Sequence, residues 1–276
     1  MAQPYMSLQK KTILGADVLV AGTQGSPALV LIHGWNSNSQ TWKGLAERLS
    51  ADFYVVAINS PGVSGSACLP KYDILPHAEW LVKILSQLGV SFFSILGHSM
   101  GGNIAAQVVC IAPERVQSLV LVGAALYTDR PFSTQIYVRP VIGPISLAGA
   151  KIYSWFTGKI GTFVARLTKD EKMQAWAYRQ TVFAISTSQF TLCEQMKALI
   201  AHPISFGELP RKLPILILHG EMDKTVPPAY AKEMYNARPN KTKLVLYPEG
   251  DHNIMDFYPD EVATDIRHFF QEQLQQ

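Results

Sequence analysis

Gly97-His98-Ser99-Met100-Gly101-Gly102 comes directly after the apolar run 91–96 and opens a segment with helical patterning. A Gly-x-Ser-x-Gly between strand and helix has the form of a nucleophile elbow. In such a sharp turn the serine backbone is strained and its hydroxyl stands clear of the sheet. Side chains two positions before and after the serine would collide, so glycine is required at 97 and 101. Free amide hydrogens and the positive end of the following helix then face any oxyanion forming beside Ser99. The chemistry implied is nucleophilic attack by a serine hydroxyl.

Such a hydroxyl needs a base, and the base needs an orienting acid. In elbow enzymes they follow the serine in the order acid, then histidine. His219-Gly220-Glu221-Met222-Asp223-Lys224-Thr225-Val226-Pro227 follows the apolar run 214–218 and supplies Asp223. Pro248-Glu249-Gly250-Asp251-His252-Asn253 follows the run 243–247 and supplies His252. Glu221 shares the first loop but lies nearer the strand. Asp251 would have to fold back on its own neighbour, and Asp129 would serve only in a variant layout. His98 adjoins Ser99, yet neighbours in a tight turn point apart, while His33 and His219 suit structural hydrogen bonds at strand ends. An oxyanion hole takes two backbone amides: Met100 gives one, and Trp35, after the close-approach glycine Gly34, gives the other. The Trp35 ring either walls a pocket or packs against whatever lies above.

These residues must be carried by rigid elements. Six nearly continuous apolar runs, at 28–32, 53–58, 92–96, 118–122, 214–218 and 243–247, suit strands covered on both faces, as in a parallel sheet. Residues 11–22 read as opening strands. Helical patterns fill the intervals at 41–49, 73–88, 103–111 and 260–274. The alternation predicts a doubly wound α/β sheet, with the loops bearing Ser99, Asp223 and His252 at its carboxyl edge.

Between 126 and 208 the rhythm breaks. No strand–helix pair is evident, while Tyr153, Trp155, Phe156, Phe163, Trp176, Tyr178, Phe183 and Phe190 crowd together with Met173 and Met196. This predicts a largely helical cap, with 1–125 and 209–276 forming the core. The aromatics are expected inside the cap, with some lining an apolar pocket above Ser99. The segment holds nine Lys and Arg against five Asp and Glu, whereas the rest of the chain holds fifteen against sixteen. A solvated helical surface explains that balance; a sharper reading is a dock for an acidic carrier protein.

Hydrophobic residues make up 48% of the chain and charged ones 16%, enough apolar content for a large core. A net charge of +3 with scattered cations argues against nucleic acid as a partner. Cys68, Cys110 and Cys193 are odd in number and widely spaced, which suits a reduced cytoplasmic setting. Asp17 interrupts the apolar stretch after Lys10-Lys11, and no run long enough for a membrane span occurs. Phosphate-cradling and dinucleotide fingerprints are absent, so neither a cofactor nor a metal is expected.

His33-Gly34-Trp35, the 97–102 elbow, the 220–227 loop and Gly250-Asp251-His252, in this order, resemble the α/β-hydrolase superfamily across nearly the whole chain outside the cap. The resemblance implies an α/β-hydrolase fold, a doubly wound and mostly parallel sheet with an inserted helical cap. It also implies a carboxylesterase-like serine hydrolase with Ser99, Asp223 and His252 as triad. His-Gly-Trp with a helical cap is further similar to carboxylesterases of the pimeloyl-carrier methyl ester type. One departure is Asn59-Ser60-Pro61-Gly62-Val63-Ser64-Gly65-Ser66, where relatives often carry an aspartate and a Pro-Gly-x-Gly-x-Ser run. Serine at position 99 disfavours dehalogenase and epoxide-hydrolase chemistry, which uses aspartate there. The leading expectation is cleavage of the ester of a small, mainly apolar molecule through an acyl-enzyme. Thioester or methyl ester cleavage on carrier-bound acyl groups, amide or carbon–carbon hydrolysis, perhydrolysis, a non-hydrolytic cyclase or lyase, and a ligand receptor share the same fold.

Overall fold

The computed structural model describes residues 8–126 and 135–274. Strands form where apolar side chains are covered on both sides of the backbone. β1 (Gln9–Ile13) and β2 (Ala16–Ala21) make a hairpin, followed by β3 (Ala28–Ile32), β4 (Tyr54–Ile58), β5 (Phe93–His98), β6 (Val116–Val122), β7 (Ile215–Gly220) and β8 (Thr242–Tyr247). They join in one eight-stranded sheet, in the order β1-β2-β4-β3-β5-β6-β7-β8. β2 pairs antiparallel with β1 and β4, and every later pairing is parallel.

The helices are, in chain order, α1 (Lys43–Leu49), α2 (Ile74–Gln87), α3 (Met100–Ile111), α4 (Ile142–Thr168), α5 (Glu171–Ile185), α6 (Gln189–Ala201), α7 (Pro228–Ala237), α8 (Ile254–Phe257) and α9 (Pro259–Leu274). Because side chains alternate along a strand, each central strand feeds two cores. Val30, Ile32, Ile95 and Ile217 face a core closed by α2, α3 and α7. Leu29, Leu31, Leu96 and Leu218 face a second one closed by α1 and α9. Each fully buried Leu or Ile contributes about 1.5–3 kcal/mol, so the sheet is the rigid part of the molecule.

All six apolar runs are strands, and the doubly wound α/β-hydrolase arrangement is as expected. Strand β5 begins one residue later than its run, since Phe92 is exposed, and continues through Gly97 to His98. Helix α7 was not foreseen: only Ala231 and Met234 of its ten residues are buried, too few for a clear apolar period. The loop after β4, which lacks the aspartate, is held by bonds of its own. Asn59 Oδ1 accepts from the Ser39 amide at 2.6 Å, and the Ser60 amide donates to His33 Nε2 at 3.0 Å.

Helices α4, α5 and α6 lie between β6 and β7 in sequence. Residues 127–134, which include Asp129, fall outside the described residues. The two ends of the segment meet where the Ile204 amide donates to the Leu126 carbonyl at 3.2 Å. The aromatics here correct the expectation. Tyr153, Trp155, Phe156, Phe163, Trp176, Tyr178 and Phe190 are exposed, while Phe183 and Met196 turn inward. The reason is steric: α4 and α5 meet closely through Gly158, Gly161, Ala165 and Ala177, and the Trp176 ring lies against α4 only because Gly161 has no side chain.

Gly101→Ala would set a methyl group 2.3 Å from the Ile32 carbonyl oxygen and 2.6 Å from that of His33. Such overpacking costs about 1–3 kcal/mol, so a thermal melt of the variant should show a Tm several degrees lower. An unchanged Tm would contradict the tightness of this turn.

Candidate active site

Ser99 occupies the turn between β5 and α3 with φ 53° and ψ −120°, a backbone shape that L-residues adopt only under strain. Its amide donates to the Val122 carbonyl at 3.0 Å, and its carbonyl accepts from Gly102 at 2.9 Å and Ala125 at 3.0 Å. The turn is therefore bolted to the end of β6. A Cβ at Gly97 would lie 2.2 Å from the Gly101 carbonyl oxygen, which explains the first glycine.

Asp223 and His252 come together as the spacing predicts. Loops after β7 and β8 are stitched by Glu221 N to Tyr247 O and Met222 N to Gly250 O, both 2.9 Å. His252 Nδ1 donates to Asp223 Oδ2 at 2.7 Å, which leaves Nε2 free. The other carboxylate oxygen, Oδ1, accepts from the Thr225 and Val226 amides at 2.8 and 2.9 Å. Burial pushes the Asp223 carboxyl up, but hydrogen bonds from His219 and His252 more than offset this and hold it well below the ordinary carboxylate range. It is an ionised, fixed acceptor.

The loop after β3 closes the other side. Gly34 lies so near the elbow that a Cβ there would be 3.1 Å from Ser99 Cβ. The amide of Met100, at the first turn of α3, has no intrahelical acceptor. Trp35 does both things open to its ring: it lines the cavity and donates from Nε1 to the Leu192 carbonyl at 2.8 Å. The cavity over Ser99 and His252 measures about 350 Å³, with Val182 and Phe183 as apolar wall and Asn36 and Arg179 as polar wall. Arg179 pairs with Asp256 at 3.1 Å, and burial raises the Asp256 carboxyl to about 6 despite that cation.

The rival residues have other partners. Glu221 is exposed and faces Lys232 at 3.7 Å. Asp251 Oδ1 accepts from the Asn253 amide at 2.7 Å. His98 lines the cavity but is committed elsewhere, donating from Nε2 to the His252 carbonyl at 2.9 Å, and burial keeps it neutral. His219 Nε2 serves the Val226 carbonyl at 2.9 Å, and His33, lowered to about 4 by burial, braces Ser60. Gly123 was missed. At φ 50°, a Cβ there would sit 3.3 Å from His252 Nδ1 and 3.4 Å from Asp223 Oδ2. Only its place straight after a strand could have signalled it. Among the described residues no group of three or more His, Cys, Asp or Glu is arranged to hold a metal, and no helix is long and apolar enough to cross a membrane.

Comparison with known proteins bears on the fold that carries this site. A family model described as alpha/beta hydrolase fold matches residues 27–159. A pimeloyl-[acyl-carrier protein] methyl ester esterase of Nitrosomonas europaea is 25% identical over 260 residues, covering 90% of this chain and 98% of the relative. The protein of the same name from Aeromonas hydrophila is 26% identical over 251 residues, covering 88% and 95%. In fold, the chain superposes on the enol-lactonase of Burkholderia xenovorans with a TM-score of 0.75 at 19% identity, over 95% of this chain and 100% of that one.

A bond as short as that between His252 Nδ1 and Asp223 Oδ2 should give a far-downfield proton resonance in one-dimensional NMR. We expect the signal in the parent and its loss in both Asp223→Asn and His252→Gln. Its survival in either variant would contradict the pairing.

Proposed function

We propose that this chain, a member of the α/β-hydrolase superfamily and an esterase in kind, cleaves carboxylic esters through an acyl-enzyme on Ser99. The observation that carries this reading is the 2.7 Å Asp223–His252 pair beside a strained serine in one cavity. His252 Nε2 takes the proton from Ser99 Oγ as the hydroxyl attacks the ester carbonyl carbon. The ionised Asp223 holds the imidazole in that tautomer and stabilises the cation that forms. The Trp35 and Met100 amides receive the oxyanion. Collapse expels the alcohol with the proton from His252, and a water activated by the same nitrogen then releases the acid. These steps call on no cofactor or metal.

Residues 126–208 are the cap in this reading, walling the substrate space through Val182, Phe183 and Arg179. The apolar wall suits a small, mainly apolar ester. Cys68, Cys110 and Cys193 are unpaired, which fits a cytoplasmic setting. A finer reading makes the substrate a methyl ester on a carrier-bound acyl group. Its support is the likeness to relatives of that activity along 98% and 95% of their length. The net positive cap would then meet an acidic carrier protein. Multiple turnover of a short p-nitrophenyl ester, rather than a single burst, distinguishes an esterase from a ligand receptor on this fold.

Ser99→Ala should lower turnover of a short p-nitrophenyl ester by orders of magnitude, up to about a million-fold, with the Tm unchanged. Retention of more than about a tenth of the activity would remove the serine from the mechanism. For the finer reading, turnover of a methyl ester on an acyl-carrier protein should fall as salt rises to about 0.3 M, while the same ester free in solution is little affected. Equal salt responses would leave the carrier without a docking role.

A further inference from the structure

Helix α4 carries its apolar side chains on the wrong side for a globular protein. Ile145, Ile152, Phe156, Ile160, Phe163 and Leu167 recur at intervals of seven, four, four, three and four residues, which places them on one helical face. All six point to solvent, between 57% and 70% exposed. The opposite face, with Gly143, Leu147, Ser154, Gly158, Gly161 and Ala165, is buried. A Cβ at Gly161 would lie 2.5 Å from the Trp176 ring, so the small inner residues are demanded by close contact with α5. The outer face has no such explanation inside the molecule. A row from Ile145 to Leu167, about 33 Å along the axis, far exceeds the scattered apolar residues of an ordinary surface.

The charges beside the row have one sign. From 135 to 169 the chain holds Arg139, Lys151, Lys159, Arg166 and Lys169 and neither Asp nor Glu. Lys159 and Arg166 are exposed and lie three residues beyond Phe156 and Phe163, along one edge of the apolar face. Trp155 stands on the same edge, with the Lys159 ammonium 5.8 Å above its ring. Large apolar residues flanked by long cations and a tryptophan are the pattern of a helix lying in a bilayer interface, its cations reaching up to anionic headgroups. No described helix can cross a membrane, so α4 would lie along the surface.

We propose that the outer face of α4 docks the protein on an anionic lipid surface. Two copies face to face would bring together two apolar rows edged by the cations Lys159 and Arg166 alone. An acidic carrier protein would account for the cations and leave the apolar row in water. None of the six outward residues lines the cavity over Ser99, so docking leaves the esterase site open and goes beyond the esterase reading.

The test is co-sedimentation of the full chain with vesicles of equimolar phosphatidylglycerol and phosphatidylcholine, beside vesicles of phosphatidylcholine alone. Binding to the anionic vesicles should weaken with added salt. Vesicles with brominated acyl chains should quench tryptophan emission, and Trp155→Phe should remove much of that quenching. Phe156→Ser with Phe163→Ser should abolish binding. Lys159→Glu should weaken it by at least about fivefold, and because that side chain is exposed it keeps the test valid if the double variant unfolds. Hydrolysis of a soluble p-nitrophenyl ester should be unchanged in Lys159→Glu. Failure of the parent to bind anionic vesicles overturns the proposal. So does binding that ignores both sets of substitutions, or a stable dimer that Phe156→Ser dissociates while vesicle binding is absent.

Discussion

A serine held at φ 53° and ψ −120° stores strain of about 1–3 kcal/mol, and it persists because nothing around it can move. Its amide and carbonyl are tied to Val122 and Ala125 at the end of β6, and the glycines at 97 and 101 press on backbone. Relaxing the turn would break those bonds and drive the chain into β3. The hydroxyl is thus aimed by the packing of three parallel strands. Its own side-chain preferences play little part.

The other residues of the candidate site depend on the same sheet edge. Trp35 follows β3, Gly123 follows β6, Asp223 follows β7 and His252 follows β8. Parallel pairing in register puts the carboxyl ends of these strands side by side, so loops far apart in sequence open onto one place. Amide-to-carbonyl links between the last two loops then fix Asp223 and His252 relative to each other, beside the bonds that Asp223 accepts within its own loop.

Much of this was legible in the amino-acid order because each central strand is buried on both faces and therefore reads as an unbroken apolar run. Ser99, Asp223 and His252 were legible because each sits at the end of such a run, in a loop rich in glycine. Helix α7 was not, since it covers the sheet with little more than Ala231 and Met234. Gly123 was hidden because a lone glycine after a strand has many uses. The aromatics between 153 and 190 misled for a physical reason: burial is usually inferred from hydrophobicity, and here the close helix contact selects small residues and sends the large ones out.

The hydrogen bond from Ile204 to Leu126 has an evolutionary consequence. The segment that roofs the cavity leaves the core and returns to it at almost one point, between two strands that are already neighbours. Its outer helices can change in length without altering how β6 and β7 are joined, while Met196, Leu199 and Ile204 stay packed in the core on the sheet. Variation is therefore confined to the outer part of the roof, over the cavity, while the stretch that re-enters the core and the strained turn beneath it are held by the packing of the sheet.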